Sequence, residues 1–381
     1  LKWNSTGKKR EKRLAFKSGK TYSVGIVSGY IPMGTTLHDV CRKAGLSTAT
    51  VSRVINNSPL VTQRTRARVL KAIKALGYHP SRAARTLSRR RSDMIAVIFP
   101  EIASGFYTEV LRGIDEIAAE HNFHLTTAFA HGQRDEHTLA LQSLNEQWVA
   151  GLLILNLFEV SLPAEAVKLA AEQRVPVVSI DRPVRSPHVI SVSMDNVAGA
   201  AAAVEHLFAH GYRDIAIIRG PRGNYDADQR WLGCQQAAER AGVVFPEDRI
   251  WSGTFVEGSG RLAMERWLDA GRPSPKAIFA CNDAMAIGAL EVLGERGLKV
   301  PEDVALVGFD DVDSARHLGL TTVRVPMRAM GRAAAEAAIK QILGGETQQQ
   351  HVLTTQLIVR RSCGCDPKKS KSVAVSDQMK G

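Results

Sequence analysis

Thr48, Ala49, Thr50 and Arg53 lie within TLHDVCRKAGLSTATVSRVIN, residues 36–56. They are the side chains whose types and spacing point most directly to a chemistry. Small polar and methyl-bearing side chains ahead of an arginine suit the DNA major groove. There, residues near a helix N-terminus touch base edges and arginine grips a guanine through two hydrogen bonds. Catalytic signatures are missing from the sequence: it holds no nucleophile elbow, HExxH pair or dinucleotide glycine fingerprint. Gly19-Lys20-Thr21 matches the end of a phosphate loop, but the required upstream glycine position holds Leu14. Asp310 and Asp311 are adjacent, which hinders both from facing one substrate, and Asp226 and Asp228 have no metal-ligand partners nearby in sequence. Cys363-Gly364-Cys365 offers two thiols without further close ligands, so no zinc site is expected. The expectation is a non-enzyme with no catalytic residues, no metal and no resident cofactor.

The reading face needs helices to hold it. Leu37, Val40, Cys41 and Ala44 follow the i, i+3, i+4, i+7 spacing of one buried helical face, and Gly45 suits a left-handed end. Ser47 can cap a second helix whose apolar stripe is Val51, Val54 and Ile55. That leaves Thr48, Ala49, Thr50 and Arg53 facing outward. Thr62 can cap a third helix with Val69, Ala72, Ile73 and Leu76 inward, giving the pair a shared core. Cys41 is expected to be a buried small thiol. After Tyr78-His79-Pro80, Ser81 can cap a very short helix, Arg82 to Ser88, too short to be stable alone in water. Folded only on DNA beside a twin, it would present Leu87 as a wedge between minor-groove base steps; otherwise it is a linker with Leu87 packed on the core.

Charge supports a nucleic-acid end. Residues 1–92 hold 21 Lys+Arg against 2 Asp+Glu, whereas the remainder holds 29 against 36. A basic head on a mildly acidic body fits an anionic polymer docking at one end. Residues 1–34 are basic and aperiodic, and are expected to be a disordered extension. Five scattered cysteines argue against a disulfide framework and fit a reducing compartment. The sequence has no apolar run of membrane-spanning length. Ser, Gly and Pro dilute the leader-like run at residues 22–33. The expected location is the cytoplasm, on DNA when it is bound.

From Met94 short apolar runs alternate with amphipathic helices. Strands are expected at 94–99, 124–129, 151–155 and 175–180, the last closing a first series, then at 215–218, 277–280 and 304–309. A helix at 328–343 and a single strand at 351–359 cross back. This alternation implies parallel sheets covered by helices on both faces, and two series imply two subdomains with a ligand cleft between them. The expected divisions are an extension over 1–34, a helix-turn-helix domain over 35–80, a hinge over 81–92, a core over 93–366 and a tail over 367–381. Within the core, one subdomain takes about 93–192 and 325–352, the other about 193–322 and 353–366.

The residues of the chain from Thr36 to about Cys365 resemble the lactose/galactose repressor (LacI/GalR) family of bacterial transcription regulators. The head carries Thr36-Leu37, Asp39-Val40, Ala44-Gly45, Ser47, Thr50-Val51-Ser52-Arg53-Val54 and Asn56, then Leu76-Gly77-Tyr78 with Pro80, and Ala84-Arg85 with Leu87. The core adds Phe106-Tyr107, Asp181-Arg182, Asp195-Asn196, Gly220-Pro221, Asn282-Asp283 and Val307-Gly308-Phe309-Asp310-Asp311. The resemblance implies a small all-α, lambda-repressor-like helix-turn-helix head and an α/β core like periplasmic binding proteins. It implies base reading by Thr48, Ala49 and Arg53, and phosphate contacts by Thr36, Ser47, Thr50, Ser52 and Asn56. Ser81, Arg82, Ala84 and Leu87 fall at the hinge. Phe106, Tyr107, Asp181, Asn196, Asp226, Arg230, Phe255, Asn282 and Asp310 fall at or near effector positions. Asn282 serves equally well as a helix cap. The implied partners are near-palindromic double-stranded operator DNA, a small effector (a carbohydrate by its polar and aromatic lining) and a second copy of the chain. The tail has no heptads, so a homodimer without an added tetramer-forming helix is expected. The alternative is a solute-binding transport component, for which the core alone would suffice.

Overall fold

The computed structural model describes residues 35–55, 58–78, 92–99, 105–130, 133–145, 149–155 and 164–365. The chain forms two compact units, one ending at Ser88 and the other beginning at Arg89. Asn56 and the hinge residues Ser81, Arg82, Ala84 and Leu87 lie outside the described residues, as do the 1–34 extension and the tail.

The first unit holds α1 (Leu37–Ala44), α2 (Thr48–Ile55) and α3 (Gln63–Leu76). Thr36 opens α1 with a reciprocal capping box: its side chain accepts from the Asp39 amide, and Asp39 accepts from the Thr36 amide at 2.9 Å. Gly45 ends α1 at φ 59°, a left-handed conformation that costs a glycine little. Val40, Ala44, Val51, Val54, Val69 and Ala72 make the core, and Tyr78 joins them rather than acting only as a break. Cys41 departs from expectation: it is half-buried, with Sγ 3.9 Å from Thr48 Oγ1. The fully buried face of α1 is Val40 and Ala44, and Cys41 flanks it.

The second unit contains two six-stranded sheets. The first is ordered β11-β5-β4-β3-β1-β2, built from β1 (Met94–Phe99), β2 (His124–Phe129), β3 (Gly151–Leu155), β4 (Val177–Ile180), β5 (Val189–Met194) and β11 (Gln350–Leu353), with every pairing parallel. The second is ordered β12-β10-β9-β8-β6-β7, from β6 (Ile215–Arg219), β7 (Ile250–Ser252), β8 (Ala277–Ala280), β9 (Ala305–Asp310), β10 (Thr321–Arg324) and β12 (Gln356–Ile358). Only β10–β12 is antiparallel among these pairs. The central strands are buried along their length, as helix-covered parallel strands must be. The covering helices are α4 (Gly105–Glu120), α5 (Gln133–Asn145), α6 (Ala164–Gln173), α7 (Asn196–Ala209), α8 (Tyr225–Ala241), α9 (Glu257–Asp269), α10 (Asp283–Glu295) and α12 (Met327–Ile342), with the short α11 (Asp313–Leu318) between β9 and β10.

Four elements lie beyond the sequence expectation: β5, β7, α11 and β10. The first series closes at β5, not at residue 180. The single strand expected over 351–359 is two strands in different sheets, split at Thr354-Thr355. Thr355 donates to the Asp195 carbonyl at 3.1 Å, tying this crossing to the one between β5 and α7.

Candidate functional site

On the head, Thr48, Ala49 and Arg53 are exposed while Val51 and Val54 are buried, so α2 offers a short polar face. Ser47 caps α2: its hydroxyl accepts from the Thr50 amide at 3.3 Å and lies 2.9 Å from Thr50 Oγ1. Both hydroxyls and the half-buried Ser52 flank the exposed trio. Thr36 sits at the start of α1 as its N-cap.

In the core, polar side chains from both sheets converge beyond the carboxyl ends of the strands. The first sheet's side supplies Phe106 and Tyr107 from the first turn of α4 and Asp181 directly after β4. Phe106 is buried edge-on against Tyr107, with ring centroids 5.3 Å apart. The second side supplies Asn196 at the start of α7, Asp226 and Arg230 from α8, Phe255 after β7, and Asp310 at the end of β9. Arg230 organises this wall. Its Nε donates to Asn196 Oδ1 at 2.9 Å, and its Nη1 donates to the Cys281 carbonyl at 2.5 Å. Asn196 Nδ2 then donates to Asp226 Oδ1 at 2.7 Å. The guanidinium lies 3.9 Å above the Phe309 ring centroid and 5.6 Å from that of Phe255.

Three buried acids surround this cation, and Arg182 also acts on one of them, Asp226. Asp310 Oδ1 is 3.3 Å from Arg230 Nη1, an ion pair whose nitrogen also donates to the Cys281 carbonyl. Asp310 Oδ1 and Asp181 Oδ1 are both buried without a hydrogen-bond partner. Burial raises the Asp310 carboxyl from its ordinary 3.8 to about 7, against the pull of Arg230 and with the repulsion of Asp226. Burial likewise raises Asp181, and the neighbouring Asp226 adds to it. Tyr107 is pushed well above the ordinary phenol value by burial and then by Asp181, Asp226 and Asp310. The two walls therefore share one electrostatic site, with carboxylate oxygens available to accept and few donors left to satisfy them.

Asn282 resolves toward the cap. Its Oδ1 accepts from the Met285 amide at 3.0 Å at the start of α10, and its Nδ2 donates to the Phe255 carbonyl at 2.9 Å. Through that second bond it braces a site aromatic. Asp195 caps α7, accepting from the Ala198 amide at 2.9 Å. Asp311 is held by Arg324 at 2.7 Å and Arg360 at 2.6 Å, and so points away from its neighbour Asp310. Asp228 pairs with Arg219 at 3.1 Å, whereas Asp226 faces Asn196, so that acidic pair also diverges. Sequence reasoning missed Phe309 and Met194, the surfaces on which Arg230 rests. The signal was present for Phe309, an aromatic one residue before a strand-terminal acid.

The premise that Cys363 and Cys365 have no further ligands close by is overturned. Cys365 Sγ lies 2.8 Å from His210 Nε2, and Cys363 Sγ lies 3.3 Å from His206 Nε2. Sequence distance hid the approach, because α7 and the final turn are brought together only by the second sheet.

Two family descriptions match the chain: bacterial regulatory proteins of the lacI family over residues 36–81, and a periplasmic binding protein-like domain over 204–363. The HTH-type transcriptional regulator CelR of Thermobifida fusca is 38% identical over 338 residues, spanning 86% of this chain and 98% of that protein. The HTH-type transcriptional repressor CytR of Escherichia coli K12 is 34% identical, spanning 86% of this chain and 96% of that protein. A solved complex of CelR with cellobiose aligns with a TM-score of 0.64 at 35% identity, covering 86% of this chain and 99% of that one. The Lac repressor dimer bound to operator and the anti-inducer ONPF aligns with a TM-score of 0.76 at 28% identity, covering 87% and 99%. Among the described residues no helix is long and apolar enough to cross a membrane.

Proposed function

Taking as premise that the chain belongs to the LacI family of bacterial transcription regulators, we propose that it is a homodimeric repressor whose operator affinity is set by a sugar held between Asp181 and Asp310. The observation that carries the ligand class is the pair of buried carboxylate oxygens, one from each subdomain, that have no hydrogen-bond partner, Asp310 Oδ1 having only its ion pair with Arg230. Leaving a buried acceptor unsatisfied costs about 1–3 kcal/mol, more when it is charged. A sugar's hydroxyls donate to both acids at once, and Phe255, Phe106 and Tyr107 offer aromatic surface for the ring's apolar face. Each acid belongs to a different wall, so a ligand that satisfies both favours the closed arrangement of the subdomains over the open one.

On the DNA side, Thr48, Ala49 and Arg53 read bases in one half-site, and Thr36, Ser47, Thr50, Ser52 and Asn56 hold phosphates. Two-fold symmetry makes the operator near-palindromic. Residues 81–88 form the hinge, with Leu87 as the minor-groove wedge, and subdomain closure alters the spacing of the two hinges. The transport-component reading gives the helix-turn-helix head no role. The protein carries out no chemistry on its ligand in this reading.

The test is a thermal-shift screen of mono- and disaccharides, cellobiose included because the CelR relative was solved with it. Any hit is followed by operator titration at fixed salt. The expected result is a sugar that raises the melting temperature, changes operator affinity and loses both effects in Asp181→Asn/Asp310→Asn. A sugar response that survives this double variant would place the ligand elsewhere.

A further inference from the structure

We propose that His206, His210, Cys363 and Cys365 form a closed, four-coordinate site for a zinc-class cation that fastens the end of the core to α7. The four residues come from two distant stretches. His206 and His210 are one helical turn apart at the C-terminal end of α7, so their rings share a face, with centroids 4.7 Å apart. Cys363 ends a short 3-10 turn over Arg361–Cys363, and Gly364 at φ 86° reverses the chain so that Cys365 returns to the same histidines.

Three of the four donor atoms already cluster, and Cys363, whose Sγ also reaches the Arg360 carbonyl at 3.4 Å, joins them through His206. Cys365 Sγ lies 2.8 Å from His210 Nε2 and 3.4 Å from His206 Nε2. Cys363 Sγ lies 3.3 Å from His206 Nε2. Ligand atoms of His206, His210 and Cys365 all fall within 4.8 Å of one another. Around a tetrahedral zinc with ordinary Zn–S and Zn–N bonds, sulfur and nitrogen sit about 3.6 Å apart. The two contacts to His206 are close to that spacing. The His210 contact must open by somewhat under 1 Å, and His210 is exposed and free to turn.

Chemistry selects the ion. Two imidazoles with two thiols are a soft-to-borderline set, which fits Zn(II) and Co(II). Mg(II) and Ca(II) require oxygen ligands, which this cluster does not offer. A site with four protein ligands leaves no open position and is therefore structural rather than catalytic. Its place gives it a consequence. α7 begins at Asn196, which bridges Asp226 and Arg230 in the cleft, and ends at the two histidines. The cation would pin the chain after β12 to the helix that carries this cleft residue.

The experiment uses the full chain without an affinity tag, reduced, stripped with chelator and titrated with Co(II) and then Zn(II). The expected result is about one Co(II) per chain, with sulfur-to-cobalt charge transfer and the intense visible bands of a four-coordinate centre, both abolished by zinc. Cys365→Ser and His210→Ala should each weaken binding by more than the ~100-fold that loss of an outer-shell partner costs. Cys41→Ser should leave the spectrum unchanged. His210 is exposed, so its variant tests the site even if the cysteine variant fails to fold. Absence of cobalt binding, a weak six-coordinate spectrum, or an unchanged spectrum in His210→Ala would overturn the proposal.

Discussion

Replacing Asp310 with Asn tests the electrostatic reading of the cleft directly. Three buried acids, Asp181, Asp226 and Asp310, lie around the guanidinium of Arg230, with Arg182 also acting on Asp226, and burial raises Asp310 from 3.8 to about 7. That shift of roughly three units corresponds to ~4 kcal/mol between protonated and ionised forms at about 1.36 kcal/mol per unit. The sign follows from linkage: a carboxyl whose folded value is raised stabilises the fold fully below its unfolded value near 4. That contribution is lost as pH rises through about 7. At pH 8 the ligand-free protein therefore carries an ionised Asp310 at a cost. Asn keeps the shape and removes the charge, but gives up part of the attraction to Arg230, which still has Asp226, Asn196 and the Cys281 carbonyl nearby. The net gain expected is about 1–2 kcal/mol at pH 8, or a melting temperature about 2–4 °C higher for a core of this size. At pH 5 the wild-type acid is already protonated and the gain should nearly vanish. Differential scanning calorimetry of the ligand-free protein at both pH values decides it. Equal destabilisation of Asp310→Asn at pH 5 and pH 8 would refute the argument, because it would mean that shape or the Arg230 pairing, not excess negative charge, governs this position.

Other consequences are open to measurement. Arg53→Ala should remove discrimination at one base pair per half-site, about 1–3 kcal/mol in a competition assay against substituted operators, with its phosphate-driven salt dependence little changed. Leu87→Ala should weaken operator binding far more than binding to random DNA in electrophoretic titrations; equal losses would remove the hinge assignment. Gly113→Ala should destabilise the core by about 1–3 kcal/mol in urea unfolding. A methyl group there would sit 2.1 Å from the Arg328 carbonyl where α4 crosses α12.

The head was legible in the sequence because everything that sets it is local. The α1 stripe, the Ser47 cap and the Gly45 turn sit within a few residues of what they control, and the exposed Thr48, Ala49 and Arg53 follow from the buried Val51 and Val54. The alternating body was legible for the same reason, through long apolar runs at β1, β3 and β9. What escaped is short or non-local. β7 spans three residues and β10 four; β7 pairs with β6 and β10 with β12, both far away in sequence. β5 reads VISVSM, whose β-branched alternation carried a signal, but it follows β4 without an intervening helix. Asn282 illustrates a different limit: an Asn before a helix reads as a cap or a ligand, and only the Phe255 carbonyl at 2.9 Å shows that it also braces an aromatic of the cleft.

Backbone conformation explains why the cleft acids face a ligand and not the helix layers. Six described residues other than glycine have positive φ: Asn122, Arg174, Asp181, Phe255, Asp310 and Asp311. Asn122 and Arg174 lie just past the ends of α4 and α6, where a left-handed residue commonly closes a helix. The other four follow or end strands at the cleft. Such conformations cost on the order of 1–3 kcal/mol for a side-chain-bearing residue and persist only where the surroundings hold them. Here the holders are visible: two arginines grip Asp311, the Phe255 ring is seated against Gly220, and the Asp181 amide donates to the Val192 carbonyl at 2.9 Å. In a strand that simply continued, successive side chains would alternate between the two helix-covered faces of the sheet. The left-handed turn at Asp181 and Asp310 breaks that alternation at the strand end and sends each carboxylate out past it. The backbone cost and the carboxylate oxygens that lack a hydrogen-bond partner therefore fall on the same two residues, one on each wall, and a donor-rich ligand bridging them would relieve the electrostatic part of that cost on both subdomains together.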